Sequence, residues 1–462
     1  MSCVVLTLRP YQHTLIAQTR AAMQAGARRV LVTSPTGSGK TSLIAHLLAS
    51  VAANGKRAWF CCHRRELIDQ SVRTFVESAD IHVGIVAAGY PHHPLAPVQV
   101  CSVPSLAKRA HHQALPDLIV WDECHHLAST SWAALAAQFP HALQIGLTAT
   151  PQRLDGRGLG SHFDTIIQGP TTAELTVQGY LSPYKFYAPG AVSMAGVHRV
   201  AGDYNKKEAA DVMARSTVVG DCVSHYLAHC AGARALVFGW SLEASRGIAD
   251  AFTLAGIRAR HVDGETPRSD RHAAMRSFRD GDVSVLCNVD LFGEGLDVPA
   301  VDAVFLLRPT ASLGLYLQQV GRGLRVSAGK QFVRIFDHVN NWQRHGLPDD
   351  SRTWTLEGRT SRTRESEPQV KRCAACFGVS RAGVRVCPLC GVVFPVNART
   401  VARVEGTLVE TDVDVLRQLG LAGVGAPIVP RPKTIDEWKA LGAAKGYNPK
   451  WAYVQWSMRK RA

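Results

Sequence analysis

The sequence contains no apolar run of membrane-spanning length, and residues 1–9 have neither the basic leader nor the long apolar core of a signal peptide. A disulfide framework is also missing, because eight of the 12 cysteines are scattered and several lie inside apolar segments such as residues 59–62 and 285–287. Scattered thiols suit a reducing compartment. We therefore expect a cytoplasmic protein with no membrane partner.

Acidic residues are in deficit, with 37 Asp and Glu against 52 Lys and Arg, which gives a formal charge of +15. The rest of the composition is ordinary for a globular protein, at 46% hydrophobic and 19% charged residues. A basic excess favours a polyanionic partner such as nucleic acid. The length of 462 residues exceeds a single compact core, so two or three domains are expected.

A glycine-rich segment at residues 34–41, Ser-Pro-Thr-Gly-Ser-Gly-Lys-Thr, follows the apolar run 30–33 and precedes a helix-like run at 42–48. This is the context of a phosphate-binding loop, in which glycines turn backbone N–H groups toward phosphates. Lys40 would reach the β and γ phosphates of ATP, and Thr41 would offer a hydroxyl to Mg²⁺. The residues assigned to nucleotide binding in this loop are Thr36, Gly37, Ser38, Gly39, Lys40 and Thr41.

An acidic pair ends the apolar run 118–121 and begins the segment Asp-Glu-Cys-His at residues 122–125. Asp122 would hold Mg²⁺ directly or through water, and Glu123 would polarise the attacking water. Alone, the glycine-rich loop could be a chance turn. Together with the acidic pair it predicts an ATP-driven enzyme, whose catalytic residues include Lys40, Asp122 and Glu123.

Alternating apolar and amphipathic runs predict an α/β protein with two parallel-sheet lobes. The first lobe has predicted strands at 30–33, 58–62, 98–102, 118–121 and 145–148, and the second at 235–238, 259–262, 283–287, 303–307 and 332–336. The predicted division is lobe 1 at 1–188, a connector at 189–214, lobe 2 at 215–348, a basic linker at 349–369, a cysteine module at 370–396 and a tail with a helical module at 397–462.

These residues, in this order, resemble superfamily 2 helicases of the DEAD/DEAH-box type over residues 8–345, in the DECH form. The resemblance implies two RecA-like lobes with ATP bound between them. It makes Gln12 the adenine contact, His125, Thr148 and Thr150 the coupling residues, and Arg64, Arg65 and Ser102 contacts to a nucleic-acid backbone. Residues 63–70 could instead be a helix start with a solvated charged face.

In the second lobe, residues 288–297 resemble the family's motif V and residues 318–325, Gln-Gln-Val-Gly-Arg-Gly-Leu-Arg, resemble its motif VI. The resemblance places Gly295, Asp297 and Gln318 at the nucleotide and makes Arg322 and Arg325 arginine fingers. Such fingers reach the γ phosphate only when the lobes close, so closure depends on ATP. The same arginines could otherwise be an exposed basic helix face.

Several details look closest to the XPB-like branch found in bacteria and their phages, including Thr148-Ala-Thr-Pro-x-Arg-x-Asp155 and the Gly-Leu-Asp-Val-Pro turn ending at Pro299. Members of that branch act on DNA more often than on RNA. The resemblance therefore implies an ATP-dependent DNA helicase or translocase, with a replication, repair or nuclease protein as a further partner. Two alternatives stay open: a duplex translocase or nuclease motor subunit that does not unwind, and a nucleic-acid scaffold that uses ATP as a switch.

Two Cys-x-x-Cys pairs, Cys373 with Cys376 and Cys387 with Cys390, are separated by ten residues. Four thiolates on two tight turns predict a closed, structural Zn²⁺ site in a zinc ribbon. Paired disulfides and a rubredoxin-type iron centre are the alternatives. The basic neighbours Lys371, Arg372, Arg381 and Arg385 could contact nucleic acid or only meet solvent, and the aromatic residues after Thr434 could form a helical core or stack on bases.

Overall fold

The computed structural model describes residues 7–63, 65–91, 93–152, 158–189, 192–214, 218–289, 301–357, 370–395 and 434–444. The chain divides into two compact units, residues 1–395 and residues 396–462. Among the described residues, no helix combines the length and apolar character needed to cross a bilayer.

The first lobe is built on a seven-stranded parallel sheet. Its strands are β1 (Arg29–Thr33), β2 (Ala58–Cys62), β3 (Val83–Val86), β4 (Val98–Ser102), β5 (Leu118–Asp122), β6 (Leu143–Thr148) and β7 (Thr165–Gln168), in the order β3-β4-β2-β5-β6-β1-β7. Its helices are α1 (Pro10–Gln24), α2 (Lys40–Ala53), α3 (Arg65–Ala79), α4 (Val103–Arg109), α5 (Thr130–Ala137) and α6 (Thr172–Val177), with 3-10 turns at Ala110–His112 and Cys124–Ala128. Strand β2 is buried along its whole length, as expected for a strand covered by helices on both faces.

The second lobe has a six-stranded parallel sheet in the order β12-β13-β11-β14-β15-β8. The strands are β8 (Tyr184–Tyr187), β9 (Arg199–Val200), β10 (Asp203–Tyr204), β11 (Ala235–Phe238), β12 (Ala259–Val262), β13 (Val285–Asn288), β14 (Ala303–Leu306) and β15 (Val333–Asp337), of which β9 and β10 form a separate antiparallel hairpin. The helices are α7 (Lys206–Ala214), α8 (Val218–Cys230), α9 (Leu242–Leu254), α10 (Arg268–Asp280), α11 (Leu313–Gly323) and α12 (Asn341–His345). The predicted α/β class with two parallel-sheet lobes is confirmed.

Strand β8 differs from the predicted domain division. The predicted first lobe ran to residue 188, yet Tyr184 to Tyr187 pair in parallel with Val333 to Phe336 of β15, in the second sheet. Phe186 is correspondingly buried in the core of the second lobe. The chain therefore enters the second lobe before the predicted connector, and that connector itself contains the β9–β10 hairpin and α7.

The cysteine module contacts the edge of the second sheet at β8. Its strands β16 (Val370–Arg372) and β17 (Val379–Arg381) form an antiparallel hairpin, and Tyr187 of β8 makes an antiparallel bridge to Gly378. The backbone N–H of Ala188 donates to the carbonyl of Phe377 at 2.9 Å. The hairpin is therefore joined to the carboxyl end of β8, at the outer edge of the second sheet.

Residues 349–357, part of the predicted basic linker, cross from the second lobe onto the first. The side chain of Arg352 donates to four backbone carbonyls of residues 345–350. Further along, the carbonyl of Trp354 accepts from Gln168 Nε2 at 2.9 Å, and that of Leu356 accepts from the Gly160 N–H at 2.8 Å. Leu356 also packs against a first-lobe core cluster. This part of the predicted basic linker is a packed strap between the lobes.

In the C-terminal unit, the described residues form one helix, α13 (Ile435–Ala444). Thr434 and Glu437 cap its start reciprocally, with the Glu437 N–H donating to Thr434 Oγ1 at 3.3 Å and the Thr434 N–H donating to Glu437 Oε2 at 3.2 Å. The helix agrees with the periodicity seen from Ile435 to Leu441. The other tail aromatics, from Tyr447 onward, lie outside the described residues.

Candidate active site

The glycine-rich loop lies between β1 and α2, at the carboxyl edge of the first sheet. Gly37 and Gly39 have φ angles of 86° and 80°, in the left-handed region that favours glycine. A Cβ at Gly39 would lie 2.9 Å from Gln12 Nε2, and one at Gly37 would lie 3.2 Å from Leu181 Cδ2. The two glycines therefore allow the tight turn that directs the loop into the start of α2, as a phosphate-binding loop requires.

Lys40 is the cation of this loop. Its Nζ donates to the carbonyl oxygens of Ser34 at 3.0 Å and Pro35 at 3.3 Å. Burial lowers the pKa of Lys40, while the nearby carboxyl groups of Glu123 and Asp122 act in the opposite direction. An ammonium held on its own loop and facing two carboxyl groups suits a site that takes an anionic phosphate together with a divalent cation.

Gln12 supports the loop through its side-chain amide. Its Nε2 donates to the Gly39 carbonyl at 3.0 Å, and its Oε1 accepts from the Arg9 N–H at 2.8 Å. The hydroxyl of Tyr11 donates to the Ser38 carbonyl next to it. Gln12 is 3% exposed, so in this structure both ends of its amide bond to backbone. Its contact with adenine stays a prediction.

Asp122 ends β5 beside the loop. Burial and the neighbouring Glu123 carboxyl raise the pKa of Asp122, whereas Lys40 and His63 act to lower it. Two adjacent acids in a buried site disfavour double ionisation, and a divalent cation would reverse that preference. The carboxyl pair and the Thr41 hydroxyl at the start of α2 therefore fit Mg²⁺ by their donor chemistry.

Glu123 is held in an uncommon backbone conformation, with φ at 49°. Its Oε2 accepts from Thr148 Oγ1 at 3.4 Å and lies 3.4 Å from His125 Nδ1. Thr148 Oγ1 in turn accepts from the Thr150 N–H at 3.1 Å and lies 3.4 Å from His125 Nδ1. The structure thus brings the predicted base together with all three predicted coupling residues.

Helix α11 of the second lobe lies directly against the loop. A Cβ at Gly321 would lie 2.5 Å from Thr36 Cβ, and one at Gly314 would lie 2.9 Å from Thr150 Oγ1. A Cβ at Gly37 would lie 3.4 Å from Arg325 Cγ. These distances show that the two lobes meet at the nucleotide loop.

The predicted finger Arg322 lies in the last turn of the same helix, and Arg325 follows just after its end. Arg322 is 5% exposed and Gln318 is 4% exposed, so both point into the protein. Burial is the main cause of the lowered pKa of Lys40, and the positive charges of Arg322 and Arg325 lower it further. Arg325 lies against the loop, because its Cγ is 3.4 Å from the position of a Cβ at Gly37.

The remaining predicted site residues lie at the starts of two helices or outside the described residues. Ser102 caps α4, because its Oγ accepts from the Ser105 N–H at 3.3 Å. Arg65 begins α3 at the carboxyl end of β2. Arg64, Gly295 and Asp297 lie outside the described residues. The contacts predicted for these five residues stay predictions.

Sequence reasoning missed the surroundings of this cleft. A cavity of about 70 Å³ lies behind the loop, lined among others by Thr36, Gly321, Arg352 and Trp354. Arg9 and Tyr11 contact Tyr180, with the Arg9 guanidinium 4.7 Å from the centroid of the Tyr180 ring. No local pattern marks Trp354 or Tyr180, although the glycine at position 321 inside a helical run could have indicated a close contact.

The four predicted metal ligands form one cluster. Their Sγ atoms all lie within 4.8 Å of one another, with Cys373 and Cys390 at 3.7 Å and Cys376 and Cys387 at 3.6 Å. A tetrahedral zinc–thiolate centre with bonds of about 2.3 Å has sulfur atoms about 3.8 Å apart. The cluster therefore fits a closed four-thiolate metal site.

Two family models match the chain. The model described as "Type III restriction enzyme, res subunit" matches residues 5–153, and that described as "Helicase conserved C-terminal domain" matches residues 219–327. The two matched segments cover most of the two lobes.

Among curated proteins, a 51.5 kDa protein of a Lactococcus phage is 34% identical over 372 residues, which are 80% of this chain and 79% of the phage protein. The putative mitochondrial ATP-dependent helicase irc3 of Schizosaccharomyces pombe is 31% identical over 75% of this chain. The putative DNA 3'-5' helicase Rad25 of Halobacterium salinarum is 28% identical over 74% of it. The matches span only 59% and 57% of these last two proteins.

A solved structure shares the fold. The fragment of a putative HsdR subunit of a type I restriction enzyme from Vibrio vulnificus aligns with a TM-score of 0.60 at 22% sequence identity. The alignment covers 76% of this chain and 67% of the fragment.

Proposed function

The chain belongs to superfamily 2 of the ATP-dependent helicases and translocases, and we propose that it hydrolyses ATP in the cleft between its lobes to move along DNA. The observation that carries the proposal is the contact between α11 and the nucleotide loop. A Cβ at Gly321 would lie 2.5 Å from Thr36 Cβ, so the helix that carries Arg322, and that Arg325 follows in the chain, reaches the loop that carries Lys40.

The residues divide the work of hydrolysis. Lys40 and the loop N–H groups hold the phosphates, while Thr41 and Asp122 would hold Mg²⁺. Glu123 accepts the proton of the attacking water and is oriented by Thr148 Oγ1 at 3.4 Å. Mg²⁺ held by these residues would supply positive charge that offsets the charge of the phosphates.

Closure of the two lobes brings further positive charge to the γ phosphate. Arg322 and Arg325 approach the γ phosphate only when α11 packs on the loop, so hydrolysis and lobe movement are coupled. Thr150, which lies beside the Gly314 backbone, and His125 transmit the state of the first lobe to the second. Opening after hydrolysis then shifts the second lobe along the nucleic acid.

DNA is the proposed track. The formal charge of +15 suits a polyanion, and one relative is named as a DNA 3'-5' helicase. A basic balance does not distinguish DNA from RNA, so the relative and the resemblance to the XPB-like branch carry this choice.

The cysteine cluster is proposed to hold Zn²⁺. Its sulfur spacing of 3.6–3.7 Å and the absence of an open ligand position suit a structural metal rather than a catalytic one. Zn²⁺ would stabilise the ribbon against β8 without taking part in hydrolysis.

A second candidate is a duplex translocase that serves a nuclease or another partner without unwinding. The match of residues 5–153 to a restriction-enzyme subunit model favours it. Both candidates use the same ATP site and differ in what movement does to the duplex.

Displacement of a labelled third strand from triplex DNA tests movement, and a labelled fork in a parallel reaction tests unwinding. ATP-dependent release in both assays supports a helicase, and release from the triplex alone supports the translocase. Glu123→Gln is the control and should release nothing. ATP turnover on DNA with no release from either substrate would argue against a motor.

A further inference from the structure

The zinc ribbon lies at a functional edge of the second sheet. Its first cysteine turn is held at the carboxyl end of β8, through the bridge between Tyr187 and Gly378 and the 2.9 Å bond from Ala188 N–H to the Phe377 carbonyl. Because the sheet is parallel, the carboxyl ends of its strands share one edge. Ligands of open α/β sheets bind at that edge.

Further contacts fix the ribbon on the second lobe. Arg381 of β17 pairs with Asp349 at 3.2 Å and with Asp350 at 3.0 Å. Arg372 Nη1 donates to the Ala188 carbonyl at 3.1 Å. These contacts set the orientation of the ribbon, so its outer surface has a defined position relative to the second sheet.

The second cysteine turn forms that outer surface. It is a short hairpin in which the Phe394 N–H donates to the Arg385 carbonyl at 3.0 Å and Val386 bridges to Val393. Arg385 is exposed, and the side chains of Val386 and Val393 are 47% and 68% exposed. The hairpin therefore presents an exposed cation next to two exposed valines.

Charge identifies the partner class. Residues 370–395 contain no Asp or Glu, and they contain Lys371, Arg372, Arg381 and Arg385. Arg381 is neutralised by its ion pairs with Asp349 and Asp350, and the other three cations still outnumber the formal charge of −2 of a tetrathiolate Zn²⁺ centre. The outer hairpin, residues 385–394, carries Arg385 and no carboxylate. A cation without carboxylates beside it suits a phosphate backbone, whereas a protein interface commonly carries both signs.

We propose that the outer hairpin of the zinc ribbon, around Arg385, is a second contact for the nucleic-acid backbone, carried on the second lobe at its carboxyl edge. This inference rests on the proposed function, because it assigns the ribbon to the track of the same motor. Arg385 contacts a phosphate, and the ribbon binds without reading sequence. The contact would keep the second lobe on DNA while the ATP cleft opens.

Arg385→Glu in the full-length, zinc-loaded chain tests the proposal. Binding of a labelled DNA duplex is followed by fluorescence anisotropy between 0.05 and 0.3 M NaCl (roughly the range in which phosphate contacts dominate). Loss of one phosphate contact should lower the slope of log K against log salt by about 0.9 and weaken binding about eightfold at about 0.1 M salt. Arg385→Lys should keep the wild-type slope.

Arg260→Glu is the matched control. Arg260 is exposed on β12, the opposite edge strand of the same sheet, and the substitution changes net charge equally. It should leave the slope unchanged. Zinc content, measured as one metal per chain in each protein, and ATP turnover without nucleic acid should be equal in all variants.

The outcomes separate the two proposals. If Arg385→Glu and Arg260→Glu had equal DNA affinity and an equal slope of log K against log salt, the ribbon contact with DNA would be overturned. The hairpin would then be a candidate surface for a protein partner. If wild-type ATP turnover were unaffected by any nucleic acid, the proposed motor function itself would fail. Stimulated turnover with an unchanged Arg385→Glu slope would refute the ribbon contact alone.

Discussion

Replacing Gly321 by alanine should block closure of the cleft while leaving both lobes folded. The added methyl would lie 2.5 Å from Thr36 Cβ and 2.8 Å from Thr36 Cγ2. Carbon atoms in contact are normally about 3.5–4.0 Å apart, so α11 must retreat by about 1 Å. Both arginines that follow on the chain would move with the helix, away from the nucleotide loop.

A misplacement of about 1 Å can reduce the rate of a positioned reaction about 100-fold, which corresponds to about 2.7 kcal/mol in the activation free energy. We therefore expect kcat for DNA-stimulated ATP hydrolysis to fall about 100-fold. Binding of a fluorescent ATP analogue should change much less, because Lys40 and Thr41 belong to the first lobe.

Gly247→Ala is the control for this experiment. Gly247 lies in α9 with no atom within 4 Å of an added Cβ, so the substitution should leave kcat unchanged and stabilise the helix by up to about 1 kcal/mol. A Gly321→Ala protein with an unchanged melting temperature and a kcat within about threefold of wild type would refute the contact as a requirement for hydrolysis.

Three further predictions follow from other contacts. Glu123→Gln should retain ATP binding and abolish multiple turnover; unchanged turnover would remove Glu123 as the base. Leu356→Ala should lower the free energy of unfolding by about 1 kcal/mol in urea titrations, because Leu356 joins the strap to the first-lobe core, whereas Leu254→Ala at an 89% exposed site should not. Burial and the neighbouring His225 lower the pKa of His338 to about 3, below its ordinary value of 6.5, so the unfolded chain binds the extra proton and stability falls as pH drops below about 6.5. At about pH 5 this loss is about 2 kcal/mol, and His338→Phe should remove it from urea titrations; an equal pH dependence in the variant would contradict the burial of a neutral imidazole.

Buried strands were predictable because their sequences are continuous apolar runs. Strand β2, at residues 58–62, and the core strand β11 match their predicted bounds. Strand β3 was missed, since its alternating burial over only four residues gives a weak signal. Strand β8 was also missed, and no local pattern in Tyr-Lys-Phe-Tyr states which of two sheets it joins.

The grouping of the candidate site residues was predictable, because the predicted phosphate and metal binding need particular residue types at fixed spacing. Lys40, Asp122 and Glu123 meet at one edge of the first sheet, and the four cysteines meet in one cluster. The strap was not predictable, because residues 349–357 are mostly polar and bind the first lobe through the carbonyls of Trp354 and Leu356 and through one apolar side chain, Leu356. Backbone contacts of this kind leave no side-chain pattern in the sequence.

The decisive measurement is steady-state ATP hydrolysis with no nucleic acid, with single-stranded DNA, with duplex DNA and with RNA, using Lys40→Ala as the blank. We expect low turnover without nucleic acid and strong stimulation by DNA, and we expect Lys40→Ala to show neither turnover nor stimulation. Appreciable turnover that no polymer changes would contradict a nucleic-acid motor.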